Sequence, residues 1–481
     1  MKSILSLGII SLLCLLFGCQ SNEMENITTN NGKVLLSPLE FLSIQYNNSP
    51  ELTQTELFNL VKAFQLNESA DKTKSLSNQV SLNIKNKYFL GKNIVTKSNT
   101  NPSNLKNIEG QIPIYEIELI SNGDTGKALV SGDRRAPHVL AYIDKITEND
   151  SCLSTAPNVL IELAKMYVQS EVDAFETIKD SVYNSAISKI SKDLEIDPQD
   201  INFANIENEI TVEILQSRST AIEEVPSNLR VLTAVFPLCP STWGQWEPYN
   251  CQLEKGECEK LFPGWIETSN YPTGIGVVSL AHIMACTEPE ITAYGTKIDW
   301  AYLTEKKEIK APDYFNAGDP IAKRNMVGNL FKLIYTQTNS KPIKNAKGVV
   351  TGTSCTVADM ENFLFKTLSC GSKSSWNIKT ITESLMNNNP VYVYGKPDNK
   401  PSDGVYPFIL DGYKKCFGRI DNVPQDIEVK YIHANFGFGG GSQDGYYLMD
   451  VYTGSLAFET TIPLIFKDNA LTIIPNIKKI K

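Results

Sequence analysis

Apolar and polar positions fall along this chain in blocks of different period, and each block predicts an element. The first block is an apolar run, Ile4 to Phe17, behind the positive start Met1-Lys2-Ser3. A membrane span needs about 20 apolar residues, so this shorter run has the length of a signal-peptide core. Residues 19–36 begin polar and Asn-rich and are expected to form a flexible tether. Between Thr53 and Phe64, the positions Leu57, Leu60, Val61 and Phe64 recur at helical spacing and predict one buried face. Ile112 to Leu119 and Gly126 to Val130 alternate as half-buried strands do. Ala156 to Leu194 predicts a long helix whose stripe is Leu160, Leu163, Ala164, Tyr167 and Val168. Ser, Glu and Pro gather in residues 216–230, which read as a linker. Beyond it the pattern predicts a helix from Val277 to Cys286. Four strands follow: Pro390 to Tyr394, Tyr406 to Asp411, Val429 to Asn435 and Tyr446 to Val451. The division is a signal segment (1–18), a tether (19–36), a first domain (37–215), a linker (216–230) and a second domain (231–475), with α+β architecture.

Composition narrows the function. The chain has 481 residues, enough for about two to four domains. A 42% hydrophobic and 21% charged make-up excludes wholesale disorder. The net charge of −9 argues against a nucleic-acid partner, which would call for a basic surface. Leu16-Phe17-Gly18-Cys19 resembles a bacterial lipobox, which implies cleavage before Cys19 and lipidation of its thiol. Acyl chains contribute about 0.8 kcal/mol per buried methylene, so several together anchor a protein. The expectation is a cell-envelope lipoprotein of the outer membrane, periplasmic or surface-exposed. Eight cysteines lie beyond Cys19, and export permits disulfides. Cys251 and Cys258 flank a short charged loop and are read as a disulfide, as free thiols or, with least support, as a zinc pair, since no Cys-x-x-Cys accompanies them. No cofactor and no metal is expected. With only His138, His282 and His433 in the chain, any imidazole chemistry must use one of the three.

The order of motifs in the second half resembles the streptopain-like (C10) cysteine peptidases, papain-like enzymes made with an inhibitory pro-domain. The matching segments are Trp243-Gly244-Gln245, Thr273-Gly274 leading to Ala281-His282-Ile283-Met284, Asp299-Trp300, and Pro390 to Gly395. Phe408 to Tyr413, His433 to Gly440 and Asp444 to Tyr447 complete the series. In the first half, Leu129 to Tyr142, including Asp133-Arg134-Arg135, resembles the pro-domain signature. The resemblance implies a pro-domain-like α+β half followed by a papain-like half.

The chemistry that the resemblance implies is incomplete. Such hydrolysis needs a thiolate at a helix N-terminus, a histidine to move the proton, a polar oxyanion donor and an asparagine to orient the imidazole. Aligning Ala281 to Met284 places the nucleophile at Ile275, which has no ionisable atom. Phe408 to Tyr413 set the register that places Tyr406 where the histidine belongs, and a phenol with a pKa near 10 shuttles protons poorly. Asn435 and the oxyanion candidate Gln245 are kept, and Phe436 and Phe438 stand where the family has tryptophans. His282 and His433 are read as structural, and Cys239 and Cys355 lie outside the motif. Gly437 to Gly441 reads as a tight hairpin loop rather than a phosphate loop, and Arg134-Arg135 as a turn or a partner-binding pair. The expectation is a non-catalytic protein that binds a peptide or protein, or inhibits a related cysteine peptidase. The alternatives are a cysteine endopeptidase working through an unforeseen centre, and a surface adhesin or accessory protein.

Overall fold

The structure is a computed structural model. It describes residues 34–69, 80–90, 111–121, 124–143, 146, 155–212, 229–259, 265–313, 316–395, 405–420, 423–437, 439, 444–448, 458–459, 465–466 and 471–480. The signal segment, Cys19, Cys152, Phe438 and most of the linker therefore lie outside the described residues.

In the first half the elements are β1 (Val34–Leu36), α1 (Pro38–Asn48), α2 (Gln54–Ser69), β2 (Ser81–Leu90), β3 (Ile112–Ser121), β4 (Asp124–Ser131), β5 (Val139–Ile143), α3 (Thr155–Leu194) and β6 (Ile210–Val212). β1 occupies the last three residues expected in the tether; it pairs in parallel with β6, and Val34 and Leu36 are buried. Helix α1 starts at a capping box in which the Ser37 and Glu40 side chains each bond the other's backbone N–H. Leu57, Leu60, Val61 and Phe64 all face inward from α2, as their spacing predicts. On α3 the buried stripe is Ala164, Val168, Val172 and Phe175, while the side chains of Leu160 and Leu163 lie outside the described set.

From there the chain forms β7 (Leu229–Val235), α4 (Ile275–Thr287), α5 (Ile321–Gln337), α6 (Val357–Thr367), β8 (Val391–Gly395), β9 (Tyr406–Ile420), β10 (Val423–Asn435), β11 (Gly445–Leu448) and β12 (Leu471–Ile474). Strands β9 and β10 run well past the predicted ends as a long antiparallel hairpin, which β7 joins by pairing with the outer part of β9. β7 begins inside the stretch expected to be linker.

The two halves share one sheet. Its order is β12-β8-β9-β10-β11-β5-β4-β3-β2, and the joint is the antiparallel pairing of Tyr446 and Tyr447 in β11 with Tyr142 and Ala141 in β5. One hydrophobic cluster spans the joint, combining Leu57, Phe64 and Val130 with Phe408, Tyr431 and Tyr447. A second cluster lies wholly in the second half, where α4 packs against α5 and α6. At the joint, a Cβ on Gly445 would press into the Tyr142 carbonyl and the Ile143 Cα. Gly445→Ala is therefore expected to lower stability by about 1–3 kcal/mol, the usual range for overpacking, as measured by thermal melting.

Arg134 and Arg135 are buried inside the first half rather than presented to a partner. Arg134 donates to both carboxylate oxygens of Glu56 at 2.9 and 3.1 Å, while Arg135 bonds Asp133 and reaches Glu176 at 2.5 Å. Cys251 and Cys258 are both free thiols, which corrects the disulfide reading. Cys251 Sγ turns to the Arg324 carbonyl at 3.6 Å and Cys258 Sγ to that of Gly256 at 3.6 Å. Packing against α5 and within a strand holds them on different neighbours.

Candidate functional site

Helix α4 is apolar on almost every side, so it is buried along its length and only its N-terminal end faces the site. That end is capped by Gly274 at φ +87, a left-handed value that glycine adopts freely, and no side chain caps the first turn. Ile275 opens the helix. Ser279 Oγ, one turn deeper, lies 2.8 Å from the Ile275 carbonyl oxygen and 3.2 Å from that of Pro407. The start of the helix thus sits against the start of β9, beside Tyr406. The Thr273 N–H donates to the Gln245 carbonyl at 3.1 Å, which brings Gln245 to the same helix end. A Cβ on Gly437, at φ +76, would stand 2.8 Å from Val278, so the turn after Asn435 lies on the first turn of α4. The backbones carrying Ile275, Tyr406, Gln245 and Asn435 therefore meet around one end of α4.

In this convergence the Asn435 side chain is already engaged. The Asn435 Nδ2 group donates to the Ser241 carbonyl at 3.4 Å, and its Oδ1 accepts the Gly437 N–H at 3.0 Å. Phe436 is buried against Phe408, with ring centroids 5.2 Å apart, and meets Tyr447 edge-on. A thiol does approach the helix start: a Cβ on Gly276 would lie 2.6 Å from Cys355 Sγ. Burial pushes the Cys355 thiol up to about 11, so it is protonated at neutral pH and a poor nucleophile.

Behind this end lies a layer of buried polar side chains. His282, fully buried on α4, places Nε2 3.1 Å from the Trp243 carbonyl oxygen, which can only accept. Nε2 therefore carries a proton, and Nδ1 faces Ser241 Oγ at 2.9 Å and Cys239 Sγ at 3.1 Å. Burial raises the Cys239 thiol, but the Cys286 side chain and the adjacent imidazole outweigh it and hold the thiol well below its usual value. Burial lowers the His282 pKa, and the facing Cys239 sulfur more than reverses this, so the net shift is upward. His433 Nδ1 pairs with Asp411 Oδ1 at 2.6 Å, and the other oxygen of Asp411 accepts the Cys239 N–H at 3.0 Å. His282 is buried and His433 half-buried, and the contact of His282 with Cys239 is one that the sequence reading does not anticipate. The two residues are 43 positions apart in sequence, and no local spacing signals the meeting. The one available hint was a histidine at a position where the C10 pattern carries glutamine.

Residues 243–447 match the family model of the peptidase C10 family. The second half carries a peptidase C10-like domain. By structure the chain is similar to a prointerpain A fragment from Prevotella intermedia, at 16% identity and a TM-score of 0.40, over 78% of this chain and 98% of that one. It is also similar to the active wild-type interpain A cysteine protease of Prevotella intermedia, at 17% identity and a TM-score of 0.34, over 54% of this chain and 100% of that one. No curated protein matches by sequence.

Inside the C10-like domain, Asp444 gives the polar layer a pH response. Its Oδ1 accepts the Phe436 N–H at 2.7 Å, but Oδ2 is buried without a partner. Burial pushes this carboxyl up from 3.8 to about 7. Because the native state holds the proton more tightly than the unfolded chain, the contribution to stability is full below about 4 and is lost as pH rises through about 7. Asp444→Asn is expected to remove that dependence. Relative to the native chain it gains about 4 kcal/mol between pH 4 and pH 8, at about 1.4 kcal/mol per pK unit, read from urea midpoints. Among the described residues, no group of three or more His, Cys, Asp or Glu is placed to hold a metal ion, and no helix is long and apolar enough to cross a membrane.

Proposed function

We propose that this protein is an exported lipoprotein, anchored through Cys19, whose peptidase C10-like domain holds a peptide or protein segment without cutting it. The observation that carries the reading is Ile275 at the N-terminal end of α4, where a hydrocarbon occupies the place a nucleophile needs. Tyr406 opens β9, whose next residue, Pro407, meets α4 through the Ser279 hydroxyl, and the Asn435 amide is bonded to Ser241 and Gly437 instead of orienting an imidazole. The pro-domain-like half supports a holding role in cis. To inhibit a related cysteine peptidase in trans, it would have to strip β5 from β11 and withdraw Phe64 from a shared core.

A second reading, an endopeptidase with another centre, is favoured by a single observation, the Cys239–His282 contact. Cys239 is only 8% exposed and His282 not at all, so a substrate carbonyl has no approach to the sulfur. The experiment separates the two. The purified chain is incubated with a broad peptide library, its products are read by mass spectrometry, and its thiols are probed with an electrophile. The expected result is an intact library with retention of a subset of peptides on the immobilised protein. Hydrolysis that disappears in Cys239→Ser would replace this reading with the second.

A further inference from the structure

The segment that leads into the C10-like domain, Phe236-Pro237-Leu238-Cys239-Pro240-Ser241, lays a sulfur along α4. Cys239 Sγ is 3.1 Å from His282 Nδ1 and 3.9 Å from the His282 carbonyl oxygen. In an α-helix, the side chain four residues on leans back over that carbonyl, and here that residue is Cys286. The Cys239 and Cys286 side chains accordingly neighbour each other across the His282 carbonyl. Cys239 is buried, whereas Cys286 is partly exposed, and both are free thiols. Neither belongs to the convergence of Ile275, Tyr406, Gln245 and Asn435.

We propose that Cys239 and Cys286 form a redox dithiol that closes to a disulfide on meeting a small-molecule disulfide such as oxidised glutathione, stapling the entry segment to α4. The inference is independent of whether the domain cuts peptides. Cys286, the less buried of the two residues, gives up its proton and attacks one sulfur of the oxidant; that S–S bond breaks, and the first glutathione leaves and takes up the proton. Cys239, its proton drawn off toward His282, then attacks the Cys286 sulfur of the mixed disulfide. The S–S bond to glutathione breaks as the protein disulfide forms, and the second glutathione leaves and takes up a proton. Two protein thiols are oxidised and one small disulfide is reduced to two thiols. His282 acts as a positioning residue, because its Nε2–H is committed to the Trp243 carbonyl and its Nδ1 is left facing the sulfur. The staple closes a loop containing Gln245, Gly274 and Ile275, so it fixes the entry segment to the helix that carries the candidate site.

The test uses the full chain treated with oxidised or with reduced glutathione, then alkylated, digested and analysed by mass spectrometry. The expected result is a linked peptide pair containing Cys239 and Cys286, reversed by reductant, with a Tm raised by roughly 5 °C or more in the oxidised sample. Cys286→Ser is expected to abolish both the link and the shift. The proposal is overturned if both cysteines remain alkylatable after oxidant, if Cys286 stops at the glutathione adduct, or if either pairs with a different cysteine. Should Cys286→Ser not fold, the peptide mapping on the native chain decides alone.

Discussion

Phe64→Ala is expected to destabilise the whole chain by about 3–5 kcal/mol and to bring both halves down in one transition. Phe64 is 1% exposed, and its ring centroid lies 4.8 Å from those of Tyr142 and Tyr431 and 6.0 Å from that of Tyr446. One of those partners is on β5 and the other two are on β10 and β11, so the cavity opens at the joint of the shared sheet. The two halves can be followed separately. All five tryptophans lie in the second half, so tryptophan fluorescence reports there, while far-ultraviolet circular dichroism is sensitive to the 40-residue helix α3. Coincident transitions displaced to lower denaturant are expected from both signals. A fluorescence transition left where it was, with only the dichroism shifted, would show that the halves fold independently.

Restoring the missing pair at the site should have a larger effect on rate than either change alone. Ile275→Cys puts a thiol at the N-terminal end of α4, where helix N–H groups favour the thiolate. Without an imidazole nearby, little hydrolysis is expected. Adding Tyr406→His supplies the general base, a contribution of typically about 10²–10⁴-fold. Groups of this kind act as a unit, so the double variant is expected to exceed the product of the single effects. The readout is release of a fluorogenic peptide, with single-turnover labelling of the new cysteine. A double variant no faster than Ile275→Cys would mean that positions 275 and 406 do not face each other, despite the Ser279 hydroxyl lying between the Ile275 and Pro407 carbonyls. The proposed function would then lose its main support.

Much of this protein is set by local rules that a sequence displays. Leu57, Leu60, Val61 and Phe64 mark the buried face of α2, and the apolar run from Val277 onward marks α4, because burial must follow helical periodicity. The alternation in Ile112 to Leu119 likewise gives β3 its buried face. The positions of Ile275 and Tyr406 follow from the motifs around them, since register within one element carries each residue to a known place. What the sequence could not determine depends on encounters between distant segments. The pairing of β11 with β5 rests on backbone hydrogen bonds, which any side chains of suitable shape permit, so no residue pattern announces a sheet running through both halves. Cys251 and Cys258 are near in sequence, yet packing held them on different neighbours. Cys239 reached His282 and Cys286 only because the entry segment crosses α4. Sequence alone determined which faces of α2 and α4 are buried; tertiary structure decided which buried polar groups meet, because long-range contacts follow from how elements pack and not from the spacing within any one of them.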